Sequence, residues 1–336
     1  MPPFSSLDNP FSKKGRSSDD SAFFDTVLGK KGTIRKRKSS PIGDFSTEDK
    51  LIVSPEEQKI MEKEKVITDL MERERLTLRK FFGKEIHVPP LPPEITAEKI
   101  KAWEALNLHL HYLPPEEMAE IKRDDNGTII DVQPKIFPGW KKKPGAGDSL
   151  IDLFDYIKDG RLLPKAAQLP GAWVLIDSRQ KPALNKRDNQ MYANDFLGSV
   201  LEELNKKGII KQSSRNVPLA ANSRFGISAH ELNQTQVKKA FAQAIGIPEE
   251  YISLPKAIEF NVLGNIYYPE WGETNTIEWL EDRFKEPVLK NNKSLRGGFA
   301  VSGGLSYIDS SDSDNRNCGT GFRVIARFPS NQKETR

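Results

Sequence analysis

Arg296-Gly297-Gly298, Gly303-Gly304-Leu305-Ser306-Tyr307 and Gly321-Phe322-Arg323-Val324 mark out the C-terminal part of this chain. The run between the second and third of these stretches decides how the chain reads. From Ser306 to Asn317, nine of twelve residues are Ser, Asp or Asn. That composition is typical of unpacked chain. Its flanks, however, are apolar and glycine-punctuated, and Gly321 to Phe328 reads as a closing strand. A polar insert held at both ends by core-forming sequence is a displayed surface, and such surfaces commonly bind.

Working outward, residues 1–53 are rich in Ser, Lys, Asp and Pro without sustained periodicity, and read as a disordered basic tail. Lys30 to Lys38 carries six basic residues and no acid, an electrostatic tether for nucleic acid or anionic lipid, or simply a solvated basic tail. Residues 54–147 read as a helical and Pro-rich linker region. Ser54-Pro55-Glu56-Glu57 is a capping box with proline in the first turn, opening a helix to Phe82 that Gly83 ends. Its expected stripe is Ile60, Ile67, Met71, Leu78 and Phe81. Thr96 caps a second helix bearing Ile100, Trp103 and Leu106. His109 and His111 follow with no third ligand nearby, which fails the ligand count for a metal site. Trp140 then precedes three lysines in a loop.

From Asp148 the texture is globular, and 148–330 reads as the main domain. Asp148 or Ser149 caps a short helix from Leu150 to Ile157, Ala172 to Ile176 is a buried strand, and Asn194 to Lys207 a helix. Ser228 and Glu231 form a second capping box, opening a helix with Leu232, Val237, Ala240, Phe241 and Ala244 on one side. After Pro255 the short apolar runs Ala257–Leu263, Ile266–Tyr268 and Leu295–Val301 suggest irregular β-structure. The fold class is therefore α+β, with short irregular strands and helices behind a helical region and a tail.

Composition limits function. The net charge of +4 is small for 336 residues, so a general nucleic-acid role does not follow from the total. The single Cys318 excludes an intramolecular disulfide and a cysteine-based zinc site, and fits a cytoplasmic protein. No signal peptide is visible and no run reaches about eighteen apolar residues, so no membrane span is expected. There is no phosphate loop of the Gly-rich type followed by Lys-Ser/Thr, and no Gly-x-Gly-x-x-Gly after a strand. Asp309, Asp312 and Asp314 offer hard oxygen ligands of the kind calcium takes. They lack the glycine and the bidentate Glu of a calcium loop, so neither metal nor cofactor is expected.

Glu270-Trp271-Gly272-Glu273-Thr274-Asn275-Thr276-Ile277-Glu278-Trp279 joins the stretches quoted above in a recognisable order. Together with Ser313-Asp314-Asn315-Arg316, they resemble the formylglycine-generating-enzyme (sulfatase-modifying) version of the C-type-lectin fold. More closely, they resemble the variable proteins of bacterial diversity-generating retroelements, over roughly residues 150–329. The resemblance implies a ligand-binding domain with a variable region at 303–323, in which a reverse transcriptase rewrites adenines. It implies ligand contacts from Tyr307, Asp309, Ser310, Ser311, Asp312, Asn315, Asn317 and Cys318. Trp279, Arg296, Gly297, Gly298, Gly303, Gly304, Leu305, Arg316, Gly321, Phe322 and Arg323 would form the frame, with Arg316 and Arg323 as buried braces. The enzymes of this fold hold copper between paired cysteines, and one cysteine cannot supply that chemistry. The expectation is a non-catalytic binding protein whose ligand is a macromolecule, protein before nucleic acid. The alternatives are a metal-assisted enzyme on the same scaffold, or a nucleic-acid-associated protein acting through residues 30–38.

Overall fold

A computed structural model describes residues 54–145, 153–184, 190–212, 219–285 and 292–329. The basic tail at 1–53, including Lys30–Lys38, and the cap at Asp148 or Ser149 lie outside the described residues. Helix α1 (Pro55–Phe82) starts as its capping box dictates: Ser54 Oγ accepts from the Glu57 amide at 3.2 Å, and the Glu57 carboxylate accepts from the Ser54 amide at 2.8 Å. Gly83 ends it in the left-handed region at φ +71°. Its buried face is Leu70, Glu74, Leu78, Phe81 and Phe82, spaced for one helical side. The expected stripe is right at Leu78 and Phe81 but not at Ile60, which is 51% exposed. Helix α1 lies on the core from Val66 onward.

Helix α2 (Ala97–Ala105) is capped by Thr96, and strand β1 (Leu108–Leu113) follows at once. The hairpin β2 (Ala119–Arg123) and β3 (Ile129–Pro134) comes next, then α3 (Leu153–Lys158) and β4 (Ala172–Asp177). Helices α4 (Gly198–Lys206), α5 (Ala229–Leu232) and α6 (Thr235–Ile245) precede the two-residue β5 (Ile252–Ser253) and α7 (Ala257–Ile266). The chain closes with β6 (Ile277–Arg283), β7 (Lys293–Gly297), β8 (Ile308–Asp312), β9 (Thr320–Phe322) and β10 (Ile325–Phe328). The fold is mixed α+β. One antiparallel sheet runs β1-β4-β10-β5, a second runs β8-β7-β6-β9 with β6 and β9 parallel, and β2-β3 stands as a pair. Every residue of β4 is buried, as an interior strand covered on both faces requires. Trp173, Trp271, Trp279, Phe322 and Phe328 are among the large side chains removed from water. Each contributes about 2–3 kcal/mol or more by burial.

Several expectations change. Residues 54–147 are not a linker, because β1 pairs with β4 along its full length and Leu78, Phe81 and Trp103 join the common core. The helix opened by Ser228 stops at Leu232, and α6 restarts at Thr235. Ala257–Ile266 is a helix, not a strand. It is apolar nearly all round because it is buried all round, so no period marks it. The closing strand is two strands, with Arg323 and Val324 turning the chain from one sheet into the other.

Candidate functional site

β8 and β9 occupy opposite edges of their sheet, so residues 313–319 must cross the ends of β7 and β6 to join them. This crossing is the polar run. The register sets Ile308 opposite Gly297 and Asp309 opposite Arg296. Ile308 points into the core with no exposure, while Tyr307, Asp309 and Ser311 alternate onto the other face. Arg296 and Asp309 form an ion pair of 2.8 Å, and Tyr307 OH donates to the same carboxylate at 3.1 Å. Burial and the Asp309 charge push the Tyr307 hydroxyl up to about 12. The Ser310 amide donates to the Asp309 carboxylate at 2.6 Å.

Two anchors hold the crossing. Ser313 is buried. Its amide donates to the Asn292 carbonyl at 2.8 Å, its hydroxyl lies 2.8 Å from that of Ser294, and its carbonyl accepts from the His230 amide at 2.9 Å. Arg316 is half-buried and pairs with Glu231 at 2.9 Å. Glu231 is also the reciprocal acid of the Ser228 capping box, so the local signal that starts α5 fixes the carboxylate that holds the run. Asn317 closes a turn, its side-chain oxygen accepting from the Gly319 amide at 2.7 Å. Between these points Asp312, Asp314, Asn315 and Asn317 are exposed, and Ser311 and the free thiol of Cys318 are half-exposed. The expected ligand contacts thus divide. Asp309 and Ser310 are tied to the frame, Asp312, Asn315 and Asn317 face water, and Asp314 joins them.

The expected frame is largely interior. Trp279, Leu305 and Phe322 are buried, and the Trp279 indole donates to the Ile227 carbonyl at 2.9 Å. Gly303 and Gly304 turn the chain at positive φ. Gly298 sits at φ +91° with the Lys181 amine and the Phe260 ring 2.9 Å from where a Cβ would be, so no other residue fits there. A Cβ on Gly297 or Gly321 would strike the Tyr307 carbonyl or the Phe225 ring. Arg296 and Arg316 are partly exposed rather than buried, because their carboxylate partners sit at the sheet surface.

Arg323 differs: it is fully buried. It pairs with the equally buried Glu278 at 3.1 Å, donates to the Asp177 carbonyl and lies 3.8 Å over the Trp271 ring. The Glu-Trp and Gly-Phe-Arg stretches therefore meet in one dry centre. Sequence reading missed the rest of it. Arg224 pairs with Asp177 and Asp195, each at 2.6 Å, and Arg179 with Asp177 at 2.9 Å. Tyr192 donates to Glu278. Burial opposes the charge on Asp177, yet the Arg224, Arg323 and Arg179 guanidiniums hold its carboxyl below the usual range. Lys181 donates to the Thr276 carbonyl at 2.8 Å and the Gly298 carbonyl at 2.5 Å, and burial draws its amine down to about 8. A charged residue ending the apolar β4 run was the one local hint.

His109 and His111 both approach the Tyr268 hydroxyl, and His111 also lies 3.1 Å from the buried Glu74 carboxylate. His111 thus ties β1 to α1, and both histidines tie β1 to the segment that follows α7. Among the described residues no group of three His, Cys, Asp or Glu side chains could hold a metal, and no described helix is long and apolar enough to cross a membrane. No protein-family model matches the chain, and no curated protein matches it.

Proposed function

We propose that the chain is a non-catalytic, cytoplasmic binding protein. Its C-terminal part would be a C-type-lectin-like domain of the formylglycine-generating-enzyme type, nearest to retroelement variable proteins, and would present residues 307–318 to a macromolecular ligand, most readily a protein. The carrying observation is the crossing segment, anchored at Ser313 and Arg316 while Asp312, Asp314, Asn315 and Asn317 keep their side chains in water. Short amide and carboxylate side chains on a braced backbone supply adaptable hydrogen bonds, and Tyr307 beside them supplies amphipathic contact area at small entropic cost. The charged centre beneath favours binding over turnover, since Asp177, Arg224, Glu278 and Arg323 are paired with one another and buried away from any substrate.

Shuffling the residue types at 312, 314, 315 and 317 is the test. The melting temperature stays within a degree or two of the parent, as surface changes do, while binding to a ligand selected against the parent is lost. A large fall in melting temperature would make the run structural. In the encoding DNA, the retroelement reading requires a near-copy of codons 303–323 beside a reverse-transcriptase gene, differing at adenines.

A further inference from the structure

The Trp140-Lys141-Lys142-Lys143 stretch has a setting unrelated to the polar run. The second half of α1, this loop and the end of α7 enclose a groove of about 400 Å³, with Leu76, Phe81 and Ile266 as apolar walls and Lys80 and Lys141 at its rim. A second hollow on the same helix shares Leu76 and Lys80 and adds Arg79 and Gly83. Leu76 is 49% exposed at the junction of the two, a large aliphatic side chain held in water.

The loop is built rather than loose. The Gly139 amide donates to the Phe81 carbonyl at 2.9 Å, and the Trp140 indole donates to the Asn261 side chain at 2.6 Å. Asn265 clamps Lys142 from both sides, accepting from its amide and donating to its carbonyl, each at 2.9 Å. The backbone that carries its lysines is thereby held beside α1. Lys80, Lys141, Lys142 and Lys143 form no ion pair with a described carboxylate, whereas the nearby Glu85 is shared by Arg75 and Arg79. No acid lines either hollow. The result is an apolar slot with Lys80 and Lys141 on its rim and no ion pair to either among the described residues.

We infer that this groove docks an acidic, amphipathic segment of a partner protein, a bulky apolar side chain entering between Leu76, Phe81 and Ile266 while flanking carboxylates meet Lys80 and Lys141. Charge complementarity selects the acid, and the apolar walls, where the Phe81 ring is buried, select a side chain over a nucleotide. Base stacking needs an open aromatic face, and Trp140 is half-buried with its indole N–H already engaged. This surface is separate from residues 307–318 and does not depend on their role.

The test uses the full chain and fluorescence anisotropy. The probe is a labelled peptide of about 16 residues with Leu and Phe at helical spacing and Glu and Asp elsewhere, some four helical turns. Two controls are the same peptide with Lys for every acid and a labelled single-stranded RNA. The expected result is saturable binding of the acidic peptide, weakened severalfold between roughly 0.05 and 0.3 M salt. The pair Lys80→Glu/Lys141→Glu weakens it by roughly tenfold or more, and Leu76→Ser by a few-fold, with unchanged melting temperature. The Lys30–Lys38 run is present in parent and variants alike, so loss in the variants reports the groove. Absence of saturable binding, equal affinity in the Lys80/Lys141 pair, or tighter RNA binding through those lysines with Leu76→Ser silent overturns the inference.

Discussion

The charges around Glu278 and Arg323 and the residues from Tyr307 to Cys318 use the same kinds of side chain to opposite ends. In the first region each charge is out of water and depends on a partner: Arg323 on Glu278, Arg224 on Asp177 and Asp195. In the second, Asp312, Asp314, Asn315 and Asn317 are exposed, and their polar bonds within the protein are local ones. A buried charge that loses its partner keeps its desolvation penalty, whereas an exposed one simply returns to water. Polarity therefore says little about tolerance to change until burial is known.

The largest effect is expected for Arg323→Met. It strands the Glu278 carboxylate and removes a donor from the Asp177 carbonyl, at a cost of about 3–5 kcal/mol. Chemical denaturation should show most of the folding stability gone, with part regained in the double variant Arg323→Met/Glu278→Gln. A loss below about 1 kcal/mol would erase the distinction between the two regions. Next is Ser313→Val, inside the polar run but buried. It leaves the Ser294 hydroxyl without its partner, for about 1–3 kcal/mol. If Ser313→Val is silent, the run has no anchor there.

Asp282 supplies a third, smaller contrast: a half-buried carboxylate that accepts from the Ala257 amide at 2.7 Å, with Glu281 and Glu259 beside it and Lys256 only partly offsetting them. Burial, then the neighbouring Glu281 and Glu259, raise its carboxyl to about 7 from an ordinary 3.8. The folded protein thus holds this proton more tightly than the unfolded chain does. The resulting stability is fully present below about pH 4 and is lost as pH climbs through about 7. Asp282→Asn should remove that decline, gaining about 1 kcal/mol or more over the parent at pH 8 after allowance for partial solvent screening. Melting curves from pH 5 to pH 8 on both proteins measure it, with a constant difference counting against the assignment. The smallest effect is expected for Asp312→Ser with Asp314→Ser, within about 0.5 kcal/mol of the parent. A loss above about 2 kcal/mol would place these carboxylates with the buried set.

What could be read along the chain was local. The Ser54 and Ser228 capping boxes, the Gly83 helix end and the apolar β4 run all depend on residues within a few positions of one another. The quoted glycine stretches also located the polar run. β1 could not be read, because its two histidines become strand only by pairing with β4 more than sixty residues on. Nor could α7, whose burial on all sides removes the period that would reveal it. The same holds for the division within the polar run. Ser313 and Asp314 are neighbours of similar polarity, and one is buried while the other is exposed because Ser294 and His230 arrive from elsewhere. Nearest-neighbour chemistry settled where helices start and where polar residues gather. Which polar residues keep their water was decided by packing between segments far apart in the chain, since desolvation depends on what surrounds a group and not on what precedes it.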